Sequence, residues 1–300
     1  MRIVVAGSSG LIGSALVAAL RSDGHEVIRL VRRPAERPDE ISWDPEAGVI
    51  NSDLGQVDAA VNLAGANVGD KRWTKSYKRE IRDSRVLTTD TLARALASME
   101  VTPRVLVNGS AIGYYGDSGA APVTEESPPG DGFLAEVVVD WEAATAPAEE
   151  AGIRVVLART GLVVSSKGGA FGRLIAIFKY GVGGRVGSGN QYWSFISLRD
   201  EVRALQFCLE DDSLRGPVNL VAPQAVTNRE VTKAIAGMLR RPAFLPVPAL
   251  ALKAALGEFA SDILASQNVV PERLNEAGFS WLDPTIEEAL SAGRDSDQTG

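Results

Sequence analysis

Short apolar runs alternate with longer segments of helical periodicity in the first half of the chain. The runs typical of β-strands occupy residues 2–6, 26–31, 58–63, 104–108 and 154–159. The segments with helical spacing occupy residues 11–21, 75–99 and 132–151. Strands that are separated by helices form parallel sheets with both faces covered, so the pattern predicts a doubly wound α/β domain.

The second half of the chain has a less regular pattern. Helical spacing recurs at residues 171–180, 198–210, 227–239 and 249–265, a strand is predicted at 217–221, and glycines crowd residues 181–189. We expect a sheet domain of residues 1–165, to which residues 194–222 return. A smaller domain of residues 166–193 and 223–292 would face it across a cleft. The polar residues 293–300 are predicted to form a frayed tail.

Composition restricts the chemistry that the chain can perform. Of its 300 residues, 45% are hydrophobic and 23% charged, which is typical of a globular protein with a sizeable core. One Cys and one His can form neither an intramolecular disulfide nor a Cys/His zinc site, so we expect no metal. Cys208 is interpreted as core, and His25 lies at the sheet edge opposite the usual ligand site. Catalysis would therefore depend on carboxylates, Lys, Tyr, Ser or a bound cofactor.

The charge balance disfavours two kinds of partner. The formal net charge is −7 at pH 7, whereas nucleic acids and anionic membranes both select basic surfaces, so we expect neither. No run of 18 uninterrupted apolar residues occurs, and glycines interrupt the apolar start of the chain, which predicts neither a transmembrane helix nor a targeting segment. We expect a cytoplasmic protein that acts on a small molecule.

A glycine-rich segment, Gly7-Ser8-Ser9-Gly10-Leu11-Ile12-Gly13, joins the first predicted strand to the first predicted helix. Glycines allow a sharp turn and a close backbone approach to a pyrophosphate, and a helix N-terminus offers free N–H groups. The order of strand, glycines and helix favours a dinucleotide-binding loop over a purely structural turn. We predict that all seven residues contribute to the cofactor site.

The residues at the end of the second strand indicate which dinucleotide is bound. An acidic residue at this place binds the ribose 2′-OH of NAD, but the chain has Arg32 and Arg33 there. A guanidinium can bind a 2′-phosphate through two hydrogen bonds, so the sequence predicts NADP(H). The alternative is a pair of solvated arginines on a loop.

Several motifs together resemble the short-chain dehydrogenase/reductase superfamily, in its extended branch and its atypical epimerase-like subfamily. The glycine spacing is the short-chain form. The other matching segments are 62–65 (NLAG), 110–116 (SAIGYYG), 159–161 (RTG), 184–200, 217–220 (PVNL) and the C-terminal 278–290. The resemblance covers nearly the whole chain. It implies a Rossmann-like sheet domain, an interleaved C-terminal substrate domain and an NADP(H) cofactor, and it leaves the substrate open.

The resemblance also implies further cofactor contacts. Residues Leu63, Ala64 and Gly65 match the segment that lines the cofactor, and Thr160 matches the strand end near it. In the helix after that segment, Glu80 would bind a ribose hydroxyl and Arg85 would neutralise a phosphate. A solvated helix face is the alternative for both.

The superfamily's Tyr-x-x-x-Lys catalytic pair is missing. When Glu142 is set against the family's usual helix carboxylate, Leu134 occupies the Tyr position and Val138 the Lys position, and neither can transfer a proton. The remaining catalytic candidates are Ser110, which matches the family's catalytic serine, and the two tyrosines that follow it. The tyrosines are Tyr114 and Tyr115.

Weaker candidates lie on the same helix and near the glycine-rich stretch. The carboxylates of Glu136, Asp140 and Glu142 are interpreted as solvated unless one of them is buried. The rings of Tyr192 and Trp193 would wall the substrate side or pack in the core.

Two hypotheses on function follow. The first is an NADP(H)-dependent oxidoreductase or sugar-nucleotide-epimerase-like enzyme, acting on a carbonyl, hydroxyl or sugar-nucleotide substrate with an unusual proton donor. The second is a sensor or regulatory protein that binds NADP(H) without turnover. A flavin in place of the nicotinamide is weakly disfavoured, and the resemblance allows a homodimer.

Overall fold

The computed structural model describes residues 1–243 and 245–295. Its strands are β1 Arg2–Ala6, β2 Glu26–Val31, β3 Glu40–Asp44, β4 Val49–Ile50, β5 Ala59–Asn62, β6 Val105–Ala111, β7 Pro122–Val123, β8 Arg154–Thr160, β9 Leu162–Val164, β10 Tyr192–Trp193, β11 Phe195–Ser197, β12 Gly216–Leu220, β13 Val226–Thr227 and β14 Asn268–Val269. Its α-helices are α1 Leu11–Ser22, α2 Lys75–Ala97, α3 Phe133–Ala143, α4 Ala146–Glu150, α5 Gly169–Lys179, α6 Leu198–Glu210, α7 Asn228–Leu239, α8 Ala249–Leu256, α9 Phe259–Leu264, α10 Glu272–Glu276 and α11 Ile286–Asp295.

Eight strands form one sheet in the order β12-β8-β6-β5-β1-β2-β3-β4. Neighbouring strands run parallel, and the pair of β3 and β4 alone is antiparallel. The strand order reverses at β1, because its neighbours β2 and β5 lead toward opposite edges. In such sheets the crevice outside the carboxyl ends at the reversal point is where ligands bind. The predicted Rossmann-like, doubly wound fold is confirmed.

Alternate residues of the central strands face the two helical layers. Val5 and Val107 pack with the apolar face of α1 and α6, whereas Val4 and Leu106 pack with α2 and α4. Because both faces are covered, the central strands are apolar at nearly every position, which explains the continuous apolar runs in the sequence.

A separate apolar core is formed by later elements. Phe171 and Phe178 of α5 pack with Ile235 of α7 and Leu290 of α11, and all four side chains are buried. Trp193 is partly buried against the same core, as the packing interpretation of that ring expects. The boundaries of the two domains stay a prediction.

The structure corrects four elements. The strands β3 and β4 were not predicted, because segments of five and two residues are too short to give a clear pattern. The predicted helix 132–151 is two helices, since Pro147 in the first turn of α4 lacks the N–H that would continue α3. The predicted helix 249–265 is divided at Gly257, whose φ of 66° is left-handed.

The fourth correction concerns the C-terminus. Residues 293–295 end α11 rather than belonging to a frayed tail, and residues 296–300 lie outside the described residues. No helix within the described ranges combines the length and apolar composition that crossing a membrane requires.

Candidate functional site

The glycine-rich loop leaves β1 and enters α1 at the reversal point of the sheet. Gly7 has a φ of 75°, and a Cβ atom added there would lie 2.7 Å from the amide nitrogen of Ala64. A Cβ added to Gly13 would lie 2.9 Å from the carbonyl carbon of Gly7. Two of the three glycines are therefore required by backbone packing, and they bring the predicted loop against the 63–65 segment.

The first turn of α1 presents unsatisfied backbone donors. Gly10 is the N-cap and supplies no side-chain hydrogen bond, while its own amide donates to the carbonyl of Gly7 at 3.1 Å. Ser9 and Gly10 are exposed, so solvent reaches the loop at the N-terminal end of this helix. Free helix N-terminal N–H groups and the helix dipole together favour an anion such as a pyrophosphate.

A buried polar network fixes the backbone of the 62–65 segment. The side-chain Nδ2 of Asn62 donates to Asn108 Oδ1 and to Thr89 Oγ1, both at 2.9 Å. The side-chain Oδ1 of Asn62 accepts from the backbone N–H of Ala64 at 3.2 Å. The indole of Trp141 donates to the same threonine at 2.9 Å. Since every member is paired, the network holds Leu63, Ala64 and Gly65 in a single arrangement beside the glycine-rich loop.

Arg32 and Arg33 lie together after β2 but differ in their partners. Both terminal nitrogens of Arg33 bind Glu40, at 2.8 and 2.9 Å, and the same carboxylate binds Arg29 at 2.7 Å. Hydrogen bonds from Arg33, and then from the Glu36 backbone, lower the pKa of Glu40 to about 2. Arg32 is exposed and forms no ion pair within the described residues. The structure thus leaves Arg32 as the guanidinium that is available to an anion at this edge.

Arg85 lies against the cofactor segment. Its side chain is half-buried, within 3.3 Å of the Cβ position of Gly65 and 5.1 Å from the centre of the Trp141 ring. Its guanidinium donates to the Ile81 carbonyl at 2.9 Å and has no carboxylate partner in the described part of the chain. Burial lowers the pKa of Arg85 to about 10. An enclosed cation of this kind is stabilised by a bound anion.

Glu80 occupies a different environment on the same helix. Its exposed carboxylate pairs with the ammonium of Lys71 at 3.1 Å. Exposed ion pairs of this type contribute little and exchange readily, so the pairing leaves the predicted ribose contact of Glu80 a prediction.

Thr160 ends β8, and its hydroxyl is directed into the protein. It donates to Oε1 of Glu201 at 2.7 Å, and Oε2 of the same carboxyl has no partner among the described residues. Burial raises the pKa of Glu201 to about 8, so this carboxyl is protonated at neutral pH. The proton of the Thr160 hydroxyl is thereby used inside the protein, and its cofactor contact stays a prediction.

Ser110 is brought to a buried ion pair at the carboxyl end of β6. Its hydroxyl donates to Oε1 of Glu142 at 2.6 Å. Arg159 binds both oxygens of that carboxylate, each at 2.8 Å, and the side chains of Arg159 and Glu142 are 3% and 10% exposed. Burial lowers the pKa of Arg159, but the hydrogen bonds and charge of Glu142 outweigh it and raise the pKa. Ser110 is 4% exposed, and because its hydroxyl donates a hydrogen bond to Glu142, any further hydrogen bond at its oxygen must be accepted.

The two candidate tyrosines pack on Arg159. The Tyr115 hydroxyl donates to Asn219 Oδ1 at 2.7 Å and accepts from Arg159 at 3.0 Å. Burial raises the pKa of Tyr115, and its side chain is 3% exposed. The hydroxyl thus has one acceptor and one donor partner inside the protein, and a catalytic role for Tyr115 stays a prediction. Tyr114 is half-buried with its ring 3.5 Å from the guanidinium carbon of Arg159, and its hydroxyl forms no hydrogen bond in the described residues.

Apolar packing occupies the place of the missing catalytic pair. Leu134 is half-buried in a cluster with Trp73, Tyr77 and Phe259, and Val138 is 3% exposed. The ring of Trp73 lies 5.0 Å from that of Phe133 and 5.2 Å from that of Phe259. The helix that carries the pair in relatives therefore contributes an aromatic and aliphatic wall here.

Sequence reasoning did not single out three groups that shape the candidate site: Glu40, Glu201 and Arg159, which was named only within the 159–161 motif. Glu40 lies in the unpredicted strand β3, and the motif contains no signal that it would hold Arg33. Glu201 follows an aspartate at the start of α6 and reads as a solvated helix-start carboxylate, although its side chain is fully buried. Cys208 is buried as predicted, and burial raises its pKa to about 12. His25 contacts the N-terminal amino group at 3.2 Å, away from the carboxyl edge.

The glycine-rich loop, the uncapped helix and the strand reversal define a dinucleotide-binding protein of the short-chain dehydrogenase/reductase type. A sequence model of the NAD dependent epimerase/dehydratase family matches residues 3–240, and a domain of unknown function, DUF1731, matches residues 247–292. The chain belongs to the NAD dependent epimerase/dehydratase family.

Three known proteins show how far the similarity extends. An epimerase family protein of Mycobacterium bovis is 49% identical over 96% of both chains. The structure of human epimerase family protein SDR39U1 (isoform 2) with NADPH is 36% identical, with a TM-score of 0.92 over 98% of this chain and 99% of that one. A nucleoside-diphosphate sugar epimerase from Corynebacterium glutamicum is also 36% identical, with a TM-score of 0.81 over 97% of this chain and 57% of that one.

Proposed function

We propose that the protein is an NADP(H)-dependent oxidoreductase or epimerase-like enzyme that acts on a carbonyl or hydroxyl group of a small molecule. The assignment of the cofactor rests on the glycine-rich loop, where Gly7 and Gly13 leave no room for a side chain, and on the free guanidinium of Arg32. The NADPH in the human relative's structure supports the same choice. In this arrangement Arg32 would hold the 2′-phosphate and the α1 N-terminus the pyrophosphate.

The hydrogen bond from Ser110 to Glu142 carries the catalytic half of the proposal. A bound nicotinamide supplies the hydride chemistry. The residues of the chain must then accept or return the proton of the substrate oxygen. The hydroxyl oxygen of Ser110 can accept a hydrogen bond from the substrate hydroxyl, because its own proton is directed at Glu142. The substrate proton would then pass to Ser110 while the serine proton passes to the Glu142 carboxylate. Arg159 holds the carboxylate in place for this relay.

A screen of carbonyl compounds and sugar nucleotides tests the proposal. NADPH consumption is followed by absorbance, and epimerised products are followed by chromatography. We expect turnover of at least one compound, and a loss of about 100-fold or more in the Ser110→Ala variant. Ser98→Ala, at an exposed helix end, is the control that should keep full activity. Turnover that survives in Ser110→Ala would contradict the relay.

The second candidate is a sensor that binds NADP(H) without turnover. The observation in its favour is the apolar packing of Leu134 and Val138, which removes the usual proton donor without touching the nucleotide site. This candidate predicts binding of NADPH, no consumption of it across the screen, and a partner whose capture from lysate changes when NADPH is added. Consumption of NADPH with any substrate would exclude it.

A further inference from the structure

Acidic residues are absent from two long stretches of this acidic chain. The sequence has 38 Asp and Glu residues and a net charge of −7, yet none of them occurs in residues 151–199 or 231–257. Both stretches contain lysines and arginines, so wherever they meet at the surface all the charged side chains that they supply are cationic.

The two stretches lie side by side in the smaller part of the fold. Val186 forms a parallel β-bridge with Val247, in which the Val247 amide donates to the Arg185 carbonyl at 2.8 Å and the Gly187 amide donates to the Val247 carbonyl at 2.9 Å. The backbone of Gly184 approaches that of Leu245 so closely that a Cβ atom would not fit between them. Residues that are far apart in sequence thereby share one surface.

A basic groove of about 660 Å³ opens on this surface. Its cationic lining is Arg185, Arg229, Lys233, Arg240 and Arg241. The two nearest to the glycine-rich stretch are bonded to neutral oxygens, Arg185 to the Ser188 carbonyl at 2.8 Å and Arg229 to Asn190 at 3.0 Å. Within the described ranges none of the five cations forms an ion pair with a carboxylate. Their charge is therefore directed to whatever binds from outside.

Large apolar side chains stand exposed on the same two stretches of the chain that supply Arg185 and Arg241 to the groove. Tyr180 and Leu250 are 85% and 83% exposed, and Leu245 and Val182 are 61% and 55% exposed. Helix α8 (ALALKAAL) has no buried side chain, although seven of its eight residues are apolar. A cluster of exposed apolar groups of this kind on a folded protein marks an interaction site.

We propose that residues 177–190, 240–243 and 245–253, here named the basic apolar face, dock the protein peripherally on an anionic lipid surface. The cations match the anionic headgroups of such a surface, and the exposed Tyr, Leu and Val side chains match the outer part of its acyl chains. A second copy of the chain would bring cation against cation, and a nucleic acid offers little to bury leucine and valine. The expectation of no membrane partner rested on net charge, but charges act locally, because salt screens them over about 8 Å.

Vesicle sedimentation of the full chain tests the proposal. Vesicles of phosphatidylcholine mixed with phosphatidylglycerol are compared with vesicles of phosphatidylcholine alone. We expect binding to the anionic vesicles and its loss at high salt. The double variant Arg240→Gln with Arg241→Gln should bind about thirty-fold more weakly, given the usual strength of a basic side chain near an anionic surface. The matched control, Arg94→Gln with Arg104→Gln, removes the same charge from exposed arginines outside the face and should bind as the parent does.

A second double variant tests the apolar part of the face. Tyr180→Ser with Leu250→Ser changes two side chains that are more than four-fifths exposed, so the fold should persist, with unchanged thermal unfolding and reduced vesicle binding. The proposal is overturned if the parent protein does not bind anionic vesicles, or if it binds neutral vesicles equally well. Light scattering that shows a dimer dispersed by this variant would also overturn it, since a second copy would then cover the face.

Discussion

Ser110 and Glu142 are joined by a hydrogen bond of 2.6 Å between the end of β6 and the helix that has lost its catalytic tyrosine and lysine. The bond leaves the serine oxygen able only to accept further hydrogen bonds, and the bidentate contact with Arg159 prevents the carboxylate from rotating away. The chain thus has a paired serine and carboxylate at the carboxyl end of β6, although the positions of the superfamily's Tyr and Lys, Leu134 and Val138, are apolar here.

Replacing Glu142 with Gln is expected to destabilise the fold. The substitution leaves the buried guanidinium of Arg159 without its counter-charge, and breaking a buried ion pair from one side costs about 3–5 kcal/mol. Urea unfolding should show a midpoint well below that of the parent. Glu136→Gln changes an exposed carboxylate on the same helix, and its free energy of unfolding should stay within about 0.5 kcal/mol of the parent's. Equal midpoints for both variants would contradict the importance of the pair.

Replacing Glu201 with Gln is expected to change how stability depends on pH. Burial raises the pKa of Glu201 from 4.5 to about 8, so the folded state favours the protonated form. As pH rises from about 4.5 toward 8, Glu201 ionises in the unfolded chain before it ionises in the folded protein. The free energy of unfolding of the parent therefore falls by up to roughly 3 kcal/mol by pH 7, and that of the variant does not.

Denaturant unfolding at a series of pH values measures this difference. The gap between Glu201→Gln and the parent should widen from pH 5 to pH 8. Glu210→Gln, at the exposed end of the same helix, should follow the parent at every pH. A gap that does not depend on pH would show that Glu201 is ionised in the folded state.

Replacing Gly13 with Ala is expected to disrupt the cofactor loop. The new Cβ atom would lie 2.9 Å from the carbonyl carbon of Gly7 and 3.0 Å from Cα of Ser8, so the loop must shift. We expect the free energy of unfolding to fall by about 1–3 kcal/mol, as at other overpacked sites, and nucleotide binding to weaken. Gly237→Ala is the matched control: it lies in α7 with open space at its Cβ position, and it should be neutral or stabilising. If the two variants behave alike in thermal unfolding and nucleotide titration, the close packing of Gly13 is unimportant.

The sheet and the cofactor loop could be predicted because local pattern and tertiary environment agree there. Central strands such as β1 and β6 are apolar on both faces, and Gly7 and Gly13 are required by backbone contacts that a glycine spacing reveals. Strands β3 and β4 were not predicted, since segments of five and two residues carry too little pattern and are held by pairing, β3 with β2 and β4 with β3.

The candidate site was harder to predict because it depends on contacts between distant residues. The family resemblance singled out Ser110 and Tyr115, but it could not show that the hydroxyl of Tyr115 is held between Arg159 and Asn219. The same limitation applies to Arg33. Its sequence neighbour Arg32 has the same chemistry, and only the fold shows that Glu40 occupies one guanidinium and leaves the other free.

The most direct test of the account is a titration of the full chain with NADPH and with NADH, repeated on Arg32→Ala and Arg33→Ala. A hydrogen-bonded contact between a guanidinium and the 2′-phosphate contributes about 1.5–3 kcal/mol. The parent should therefore bind NADPH at least about tenfold more tightly than NADH, and Arg32→Ala should lose that preference without losing NADH affinity. Arg33→Ala should keep more of the preference, because Glu40 already holds that side chain. Equal affinity of the parent for the two nucleotides, or an undiminished preference in Arg32→Ala, would contradict the central claim.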